Sequence, residues 1–189
     1  MTEKLYIDAQ QYIEDAFQLG VDIICSGFRP TLMLAIWRGG VPVGIAVQEI
    51  LSYAGIHTDH IAIRSASYEN DIDVRREAIE IHGLDYLYKR VESDDKLLIV
   101  DDVYDTGSTI DAVIEDIAVQ ARLNAPSEVR VAVPYYKPEK NRTDRVPDFF
   151  IHETNAWIKF PHSLEGLSED EIRSHRPNLH RILNETPGP

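Results

Sequence analysis

The residues best equipped for chemistry lie in one run, Leu97-Leu98-Ile99-Val100-Asp101-Asp102-Val103-Tyr104-Asp105-Thr106-Gly107-Ser108-Thr109. Four successive apolar residues suit a short strand buried on both faces, and that strand delivers two adjacent carboxylates at its C-terminal end. A turn then brings Thr106-Gly107-Ser108-Thr109 to the first turn of a helix. Unpaired N–H groups and roughly half a positive charge make such a terminus an anion site. Gly107 lets the backbone approach a phosphate closely, and the hydroxyls of Thr106, Ser108 and Thr109 add donors. Asp101 and Asp102 do not suit the phosphate itself, because like charges repel. They suit the hydroxyls of a neutral polyol, or a Mg²⁺ ion, which prefers oxygen ligands. A sugar phosphate satisfies both halves. Either half alone also has a purely structural use, as an N-cap with a solvated loop or as an ordinary helix start.

These thirteen residues resemble the phosphoribosyl pyrophosphate (PRPP) motif of type I phosphoribosyltransferases: four apolar residues, two acidic ones, then Asp-Thr-Gly-Ser-Thr. A Walker A sequence and a GxGxxG are both absent, which removes the usual support for triphosphate and dinucleotide readings. The resemblance implies that Asp101 and Asp102 hold the ribose 2′- and 3′-hydroxyls together with Mg²⁺. It implies that Asp105, Thr106, Gly107, Ser108 and Thr109 form the 5′-phosphate loop, with Asp105 the catalytic carboxylate that handles the proton of the purine imidazole ring. Trp37-Arg38-Gly39-Gly40 resembles the pyrophosphate loop, a basic residue and two glycines after the first core strand. A guanidinium such as Arg38 can fork onto phosphate oxygens, and paired glycines let N–H groups turn inward as an anion nest. Trp37 is bulkier than the family residue, and a core aromatic is its alternative. Arg64–Arg76 resembles the flexible catalytic loop through Ser67-Tyr68.

The last third bears on the base. Tyr135-Tyr136-Lys137-Pro138 is similar to the Lys-Pro segment of xanthine-guanine phosphoribosyltransferases, which implies that Lys137 contacts the purine 6-oxo group. An ammonium there would repel the 6-amino group of adenine. Asn155-Ala156-Trp157-Ile158-Lys159-Phe160-Pro161 resembles the hood of the same enzymes, where Trp157 would stack on the base and the Ile158 backbone read its edge. His162-Ser163 departs from the Trp-Asp or Trp-Glu that follows in microbial relatives.

The surrounding elements alternate. Asp8–Gln11 reads as a capping box, followed by Ile13, Ala16, Phe17, Val21 and Ile24 at helical spacing and Gly27 as a stop. Thr31–Trp37 reads as a strand. Pro42 opens a helix with Ile45, Ile50 and Leu51 as its apolar face, and Gly55 closes it. Ile61–Ile63 is a strand, Arg64–Arg76 a long loop and Ile79–Val91 a partly helical segment. After Leu97–Val100, a helix carries Ile110, Val113, Ile114, Ile117, Ala118 and Ala121 on one stripe. Val129–Tyr136 and Phe149–Ile151 are strands, and Ser168–Glu171 is a second capping box before a helix interrupted at Pro177. Strands alternating with helices imply an α/β domain with a mainly parallel sheet flanked by helices. The expected organisation is a single domain over 1–189, with 139–189 contributing a C-terminal hood and tail.

Composition bounds the rest. The chain has 189 residues, 43% hydrophobic and 27% charged, as in an ordinary globular domain. Its 32 acidic against 19 basic residues give a net charge of −13, which argues against a nucleic-acid partner or an anionic-membrane face. One cysteine excludes an internal disulfide framework. No apolar run is long enough to span a membrane and the N-terminus lacks a signal-like core, so the expected localisation is cytoplasmic. His57 and His60 could be metal ligands or a solvated turn. The resemblance therefore implies a Mg²⁺-dependent purine salvage enzyme that joins PRPP to hypoxanthine, guanine or xanthine, acting as a homodimer or higher homo-oligomer. A phosphoribosyltransferase for adenine or another base stays open, as does a PRPP-sensing regulator of the same fold.

Overall fold

A computed structural model describes residues 4–67 and 79–185. The chain divides into two compact units, a larger one over Gln10–Asn155 and a smaller one from both chain ends, up to Ala9 and from Ala156. Of the segment expected as hood and tail, residues 139–155 belong to the larger unit.

In the larger unit, helix α1 (Ala9–Cys25) precedes strand β2 (Leu32–Trp37), helix α2 (Gly40–Tyr53), and strands β3 (Asp59–Ser67) and β4 (Ile79–His82). Strand β1 (Lys4–Tyr6) belongs to the smaller unit. Next come the short helix α3 (Asp85–Tyr88), β5 (Lys96–Val100), β6 (Val103–Tyr104), α4 (Ser108–Ala121), β7 (Glu128–Tyr136) and β8 (Phe149–Glu153). The sheet runs β4-β3-β2-β5-β7-β6, with β8 also paired to β7. Every pairing is parallel except β3 with β4. This is the α/β, mainly parallel fold that the sequence implies.

The register explains the buried run. Leu97–Val100 pairs with Leu32–Ala35 on one side and Val129–Ala132 on the other, and all four of its residues are fully buried. Leu97 and Ile99 pack with Ile110, Val113 and Ile117 of α4, the stripe expected for that helix. Leu97→Ala is expected to lower the unfolding free energy by about 3 kcal/mol, because it opens a cavity in this layer. A urea titration with an unchanged slope and a lower midpoint would show it.

Several expectations differ from the structure. The buried face of α1 is Tyr12, Asp15, Ala16, Leu19 and Ile23, while Phe17 and Val21 are exposed. Both sides of the helix carry apolar residues, and the one facing the sheet includes a carboxylate that periodicity counts as polar. In α2 the buried set is Val43, Ala46, Val47 and Leu51, and Ile45 is exposed. Residues 64–67, expected in a loop, extend β3 and pair with Ile79–His82. Residues 79–82, expected to be partly helical, are therefore strand, and only Asp85–Tyr88 is helix. The β4 burial alternates, Ile79 and Ile81 inward and Glu80 and His82 outward, as an edge strand with one wet face does.

In the smaller unit β1 pairs in parallel with β9 (Trp157–Lys159). Helices α5 (Glu169–His175) and α6 (Pro177–Glu185) follow, broken at Arg176 as expected from Pro177. The Ser168 capping box is formed: Glu171 N donates to Ser168 Oγ and Ser168 N to Glu171 Oε2. Lys4 and Tyr6 also donate to Glu171 Oε1, and these bonds hold the Glu171 carboxyl well below the usual range. Among the described residues, no helix is long and apolar enough to cross a membrane.

Candidate active site

In a parallel sheet with helical crossovers, loops gather at the carboxyl ends of the strands, where ligands bind. Here β2 and β5 are neighbours, so Arg38-Gly39-Gly40 after one and Asp101-Asp102 after the other must meet. They do so at close quarters. A Cβ on Gly39 would fall inside the Asp102 carboxylate, and one on Gly40 would lie 2.5 Å from the Val100 carbonyl oxygen and 2.9 Å from Asp101 Cα. At position 40 the neighbours are backbone, so only glycine fits; at position 39 a Cβ would displace the Asp102 carboxylate. Gly40 opens α2 with Gly39 as its N-cap, so the Gly40 N–H stands beside the acidic pair; the Val41 N–H is bonded to the Arg38 carbonyl and Pro42 has none. The Trp37–Arg38 peptide is cis. Trp37 is 54% exposed, which decides against its reading as a core aromatic.

Asp101 accepts a hydrogen bond from Asp102 N at 2.9 Å. Its withdrawal from water, with the charge of Asp102 beside it, nevertheless holds its carboxyl well above the usual range. The pair therefore favours anything that brings hydroxyl donors or a cation to it.

Beyond it, β6 leads into the turn Asp105-Thr106-Gly107. Gly107 caps α4 in the left-handed region, at φ +83°. A Cβ there would meet Tyr104 Oη at 2.6 Å and Thr143 at 2.8 Å. Thr106 Oγ1 donates to Ser108 Oγ and accepts from Ser108 N, at 3.1 and 3.3 Å. A small cavity of about 190 Å³ is lined by Asp101, Asp105, Thr106, Gly107 and Thr109. Hydroxyls, a helix N-terminus and the carboxylates of Asp101 and Asp105 thus line one cavity. Gly107→Ala is expected to weaken ribose 5-phosphate binding about 10-fold or more, since it strains the backbone and pushes against the tyrosine; titration calorimetry would check it.

Asp105 connects this turn to β7. Its Oδ2 accepts from Lys137 Nζ at 3.0 Å, with Lys140 Nζ at 3.8 Å. Its Oδ1 is buried without a hydrogen-bond partner, an arrangement that costs free energy until a donor arrives. Lys137 is only 6% exposed, and its own N–H donates to the Tyr104 carbonyl at 2.9 Å. Asp105 and Lys137, 32 residues apart in the chain, are thus brought together.

Sequence reasoning missed two supports. Tyr12 on α1 is buried, and its hydroxyl donates to the Gly39 carbonyl at 3.0 Å. Burial and the charges of Asp102 and Asp101 push its phenol far up, so it stays a donor. The second support is the segment after Lys137. Arg142 N donates to the Thr106 carbonyl at 3.0 Å, and Thr143 Oγ1 lies 2.9 Å from Tyr104 Oη, so this segment buttresses the phosphate turn. The nearest signal in the sequence was a polar cluster after a strand, which has no specific reading.

Other expectations lie elsewhere. Ser67 ends β3, and Tyr68 lies outside the described residues. Trp157, 54% exposed, and the buried Ile158 sit on β9 of the smaller unit. His57 and His60 are not joined by a further ligand, since no group of three or more metal-binding side chains occurs among the described residues. A larger groove of about 850 Å³ at the opposite strand ends contains His57, Asp59, Lys89 and Asp95. Its carboxylates are already engaged, Asp59 by Arg90 and Asp95 by Thr31 Oγ1 and Glu92 N, so the smaller cavity is the better candidate.

The model of the family described as phosphoribosyl transferase domain matches residues 7–169. No curated protein matches the sequence closely enough to count as a relative. Among solved structures, a purine phosphoribosyltransferase from Pyrococcus horikoshii Ot3 is 26% identical, with a TM-score of 0.67 over 88% of this chain and 97% of that one. A hypothetical protein from Neisseria gonorrhoeae with bound ppGpp is 19% identical, with a TM-score of 0.73 over 96% and 98%. The xanthine-guanine-hypoxanthine phosphoribosyltransferase of Helicobacter pylori is 17% identical, with a TM-score of 0.62 over 84% and 92%. The latter two identities speak to the fold alone.

Proposed function

The chain belongs to the phosphoribosyl transferase domain family, and from that premise we propose that it transfers the 5-phosphoribosyl group of PRPP to a 6-oxopurine: hypoxanthine, guanine or xanthine. The observation that carries the proposal is the contact of Gly39-Gly40 with Asp101-Asp102. It puts a candidate pyrophosphate loop beside a candidate diol pair, and PRPP carries pyrophosphate and diol on one ring.

In the reaction a purine nitrogen bonds to C1′, the C1′–O bond to pyrophosphate breaks, and the base gives up its proton. Charge develops on C1′ and on the departing pyrophosphate, so no covalent nucleophile is needed; positioning and electrostatics suffice. Thr106–Thr109 hold the 5′-phosphate at the start of α4, and Asp101 and Asp102 accept from the ribose hydroxyls. Arg38 and the Gly40 N–H at the start of α2 meet the pyrophosphate. Asp105 takes the proton of the base through Oδ1, whose unpartnered state supports this role. Lys137 donates to the 6-oxo group. The resemblance also gives Trp157 and the Ile158 backbone roles toward the base, and within the smaller unit Trp157 presents an exposed ring face.

The donor set also fits Mg²⁺. Two adjacent carboxylates are hard oxygen donors, one of them held above its usual range by burial and by the charge of the other, and Mg²⁺ completes its shell with water and phosphate oxygens. Asp101 and Asp102 would hold it, and when bound it neutralises charge on the leaving pyrophosphate. The net charge of −13 does not oppose a polyanionic substrate, because charges beyond about 8 Å are screened at physiological salt. The reading includes a homodimer or higher homo-oligomer, which sedimentation would reveal.

The test is a turnover panel with PRPP and Mg²⁺ and each of adenine, guanine, hypoxanthine, xanthine, uracil and orotate. Monophosphate formed from 6-oxopurines alone is the expected result. PRPP binding without turnover of any base would favour the regulator instead.

A further inference from the structure

We infer that Tyr12 is a positioning residue: its phenol fixes the Gly39–Gly40 peptide in the orientation that turns the Gly40 N–H toward the departing pyrophosphate. The inference rests on the reading of residues 37–40 as the pyrophosphate loop.

Tyr12 comes from α1, 27 residues before its partner. It is 2% exposed, and a side chain needed only to fill that space would serve as well without its hydroxyl. The hydroxyl instead donates to the Gly39 carbonyl at 3.0 Å. The Gly39–Gly40 peptide is trans, the cis bond being Trp37–Arg38. In a trans peptide the carbonyl of one residue and the N–H of the next point in opposite directions. Holding the Gly39 carbonyl against the phenol therefore aims the Gly40 N–H the other way. Gly40 is the first residue of α2, so its N–H is among those that the helix leaves without a carbonyl partner.

The bond has something to decide, because a peptide between two glycines reorients more easily than any other. Translation is already restricted: Gly39 lies against the Asp102 carboxylate and Gly40 against the Val100 carbonyl. As N-cap of α2 the Gly39 carbonyl also accepts the first intrahelical bond, and the phenol is a second donor that holds the peptide in that direction. Tyr12 itself projects from an anchored helix. One turn on, Asp15 is 4% exposed and accepts from Gln11 Nε2 at 2.8 Å, with His152 Nε2 at 2.9 Å. This ties α1 to β8.

The test uses Tyr12→Phe, which keeps the ring and removes the donor, with inorganic pyrophosphate and ribose 5-phosphate titrated separately in Mg²⁺. Thermal unfolding first establishes that the variant is folded. Pyrophosphate affinity is expected to fall about 5- to 10-fold, the effect of one buried hydrogen bond, with ribose 5-phosphate affinity unchanged. In turnover, KM for PRPP should rise by a similar factor and KM for the base should not move. A folded Tyr12→Phe that binds pyrophosphate as tightly as the parent, or loses both ligands equally, would overturn the positioning role. A parent protein that binds ribose 5-phosphate but not pyrophosphate would overturn the loop reading as well, which separates the two failures.

Discussion

Replacing both carboxylates of the acidic pair, Asp101→Asn with Asp102→Asn, is expected to give a more stable protein that no longer binds PRPP. Two neighbouring negative charges at the end of a buried strand repel each other, and Asp101 is also withdrawn from water. Its carboxyl is therefore more readily protonated in the folded chain than in the unfolded one. Folding then takes up a proton as the pH rises above the ordinary aspartate value of 3.8, so stability falls toward neutrality. Asparagine removes the charge and keeps an acceptor for the Asp102 N–H. The variant should gain about 1–2 kcal/mol at neutral pH and lose part of that decline with pH. PRPP affinity should drop about 100-fold or more, since each hydroxyl loses a charged acceptor worth about 1.5–3 kcal/mol. Calorimetry and denaturant titrations at two pH values would read both effects. Unchanged PRPP affinity would remove the diol role, and a loss of stability would show that the pair is not under electrostatic tension.

Lys137→Ala should change which base is used more than how fast PRPP is engaged. The ammonium lies 3.0 Å from Asp105 Oδ2, while Asp105 Oδ1 waits buried and unpartnered. A purine presenting a carbonyl next to an N–H matches a donor beside an acceptor, whereas adenine presents an amino group to a cation. Removing Lys137 is expected to lower kcat/KM for hypoxanthine and guanine about 10- to 100-fold and to leave the affinity for adenine, read as competitive inhibition, within about 3-fold. Lys140 at 3.8 Å still offers Asp105 a countercharge, so the effect should not come from loss of the carboxylate. Equal losses for oxopurines and adenine would remove Lys137 from base recognition.

What the sequence made legible was local. Leu97–Thr109 carries its strand, acidic pair, glycine and helix start in thirteen consecutive residues, so no distant partner was needed to read them. Trp37–Gly40 was legible for the same reason. That the glycines of one segment lie against the carboxylates of the other followed only from β2 and β5 being neighbours. Tyr12 shows what was lost: it reads as one more large residue in an amphipathic helix, because its hydrogen-bond partner is 27 residues away. Asp15 shows why the helix face was misjudged. A buried carboxylate satisfied by Gln11 and His152 looks polar in a periodicity count, which turned the expected face toward Phe17 and Val21. The β3–β4 hairpin escaped notice because its strands mix charged and small residues on the wet face, and β1 with β9 because three-residue strands leave no period to detect.

The most direct test of the account is a calorimetric titration of PRPP with Mg²⁺ into the parent protein and into Gly39→Ala. The parent should bind one PRPP per chain. The variant should bind it at least about 10-fold more weakly, because the added methyl would displace the Asp102 carboxylate and so remove one of the two acceptors for the ribose hydroxyls. Heat of dilution alone in the parent, or equal affinity in a folded Gly39→Ala, would contradict the assignment of these two strand ends as the PRPP site.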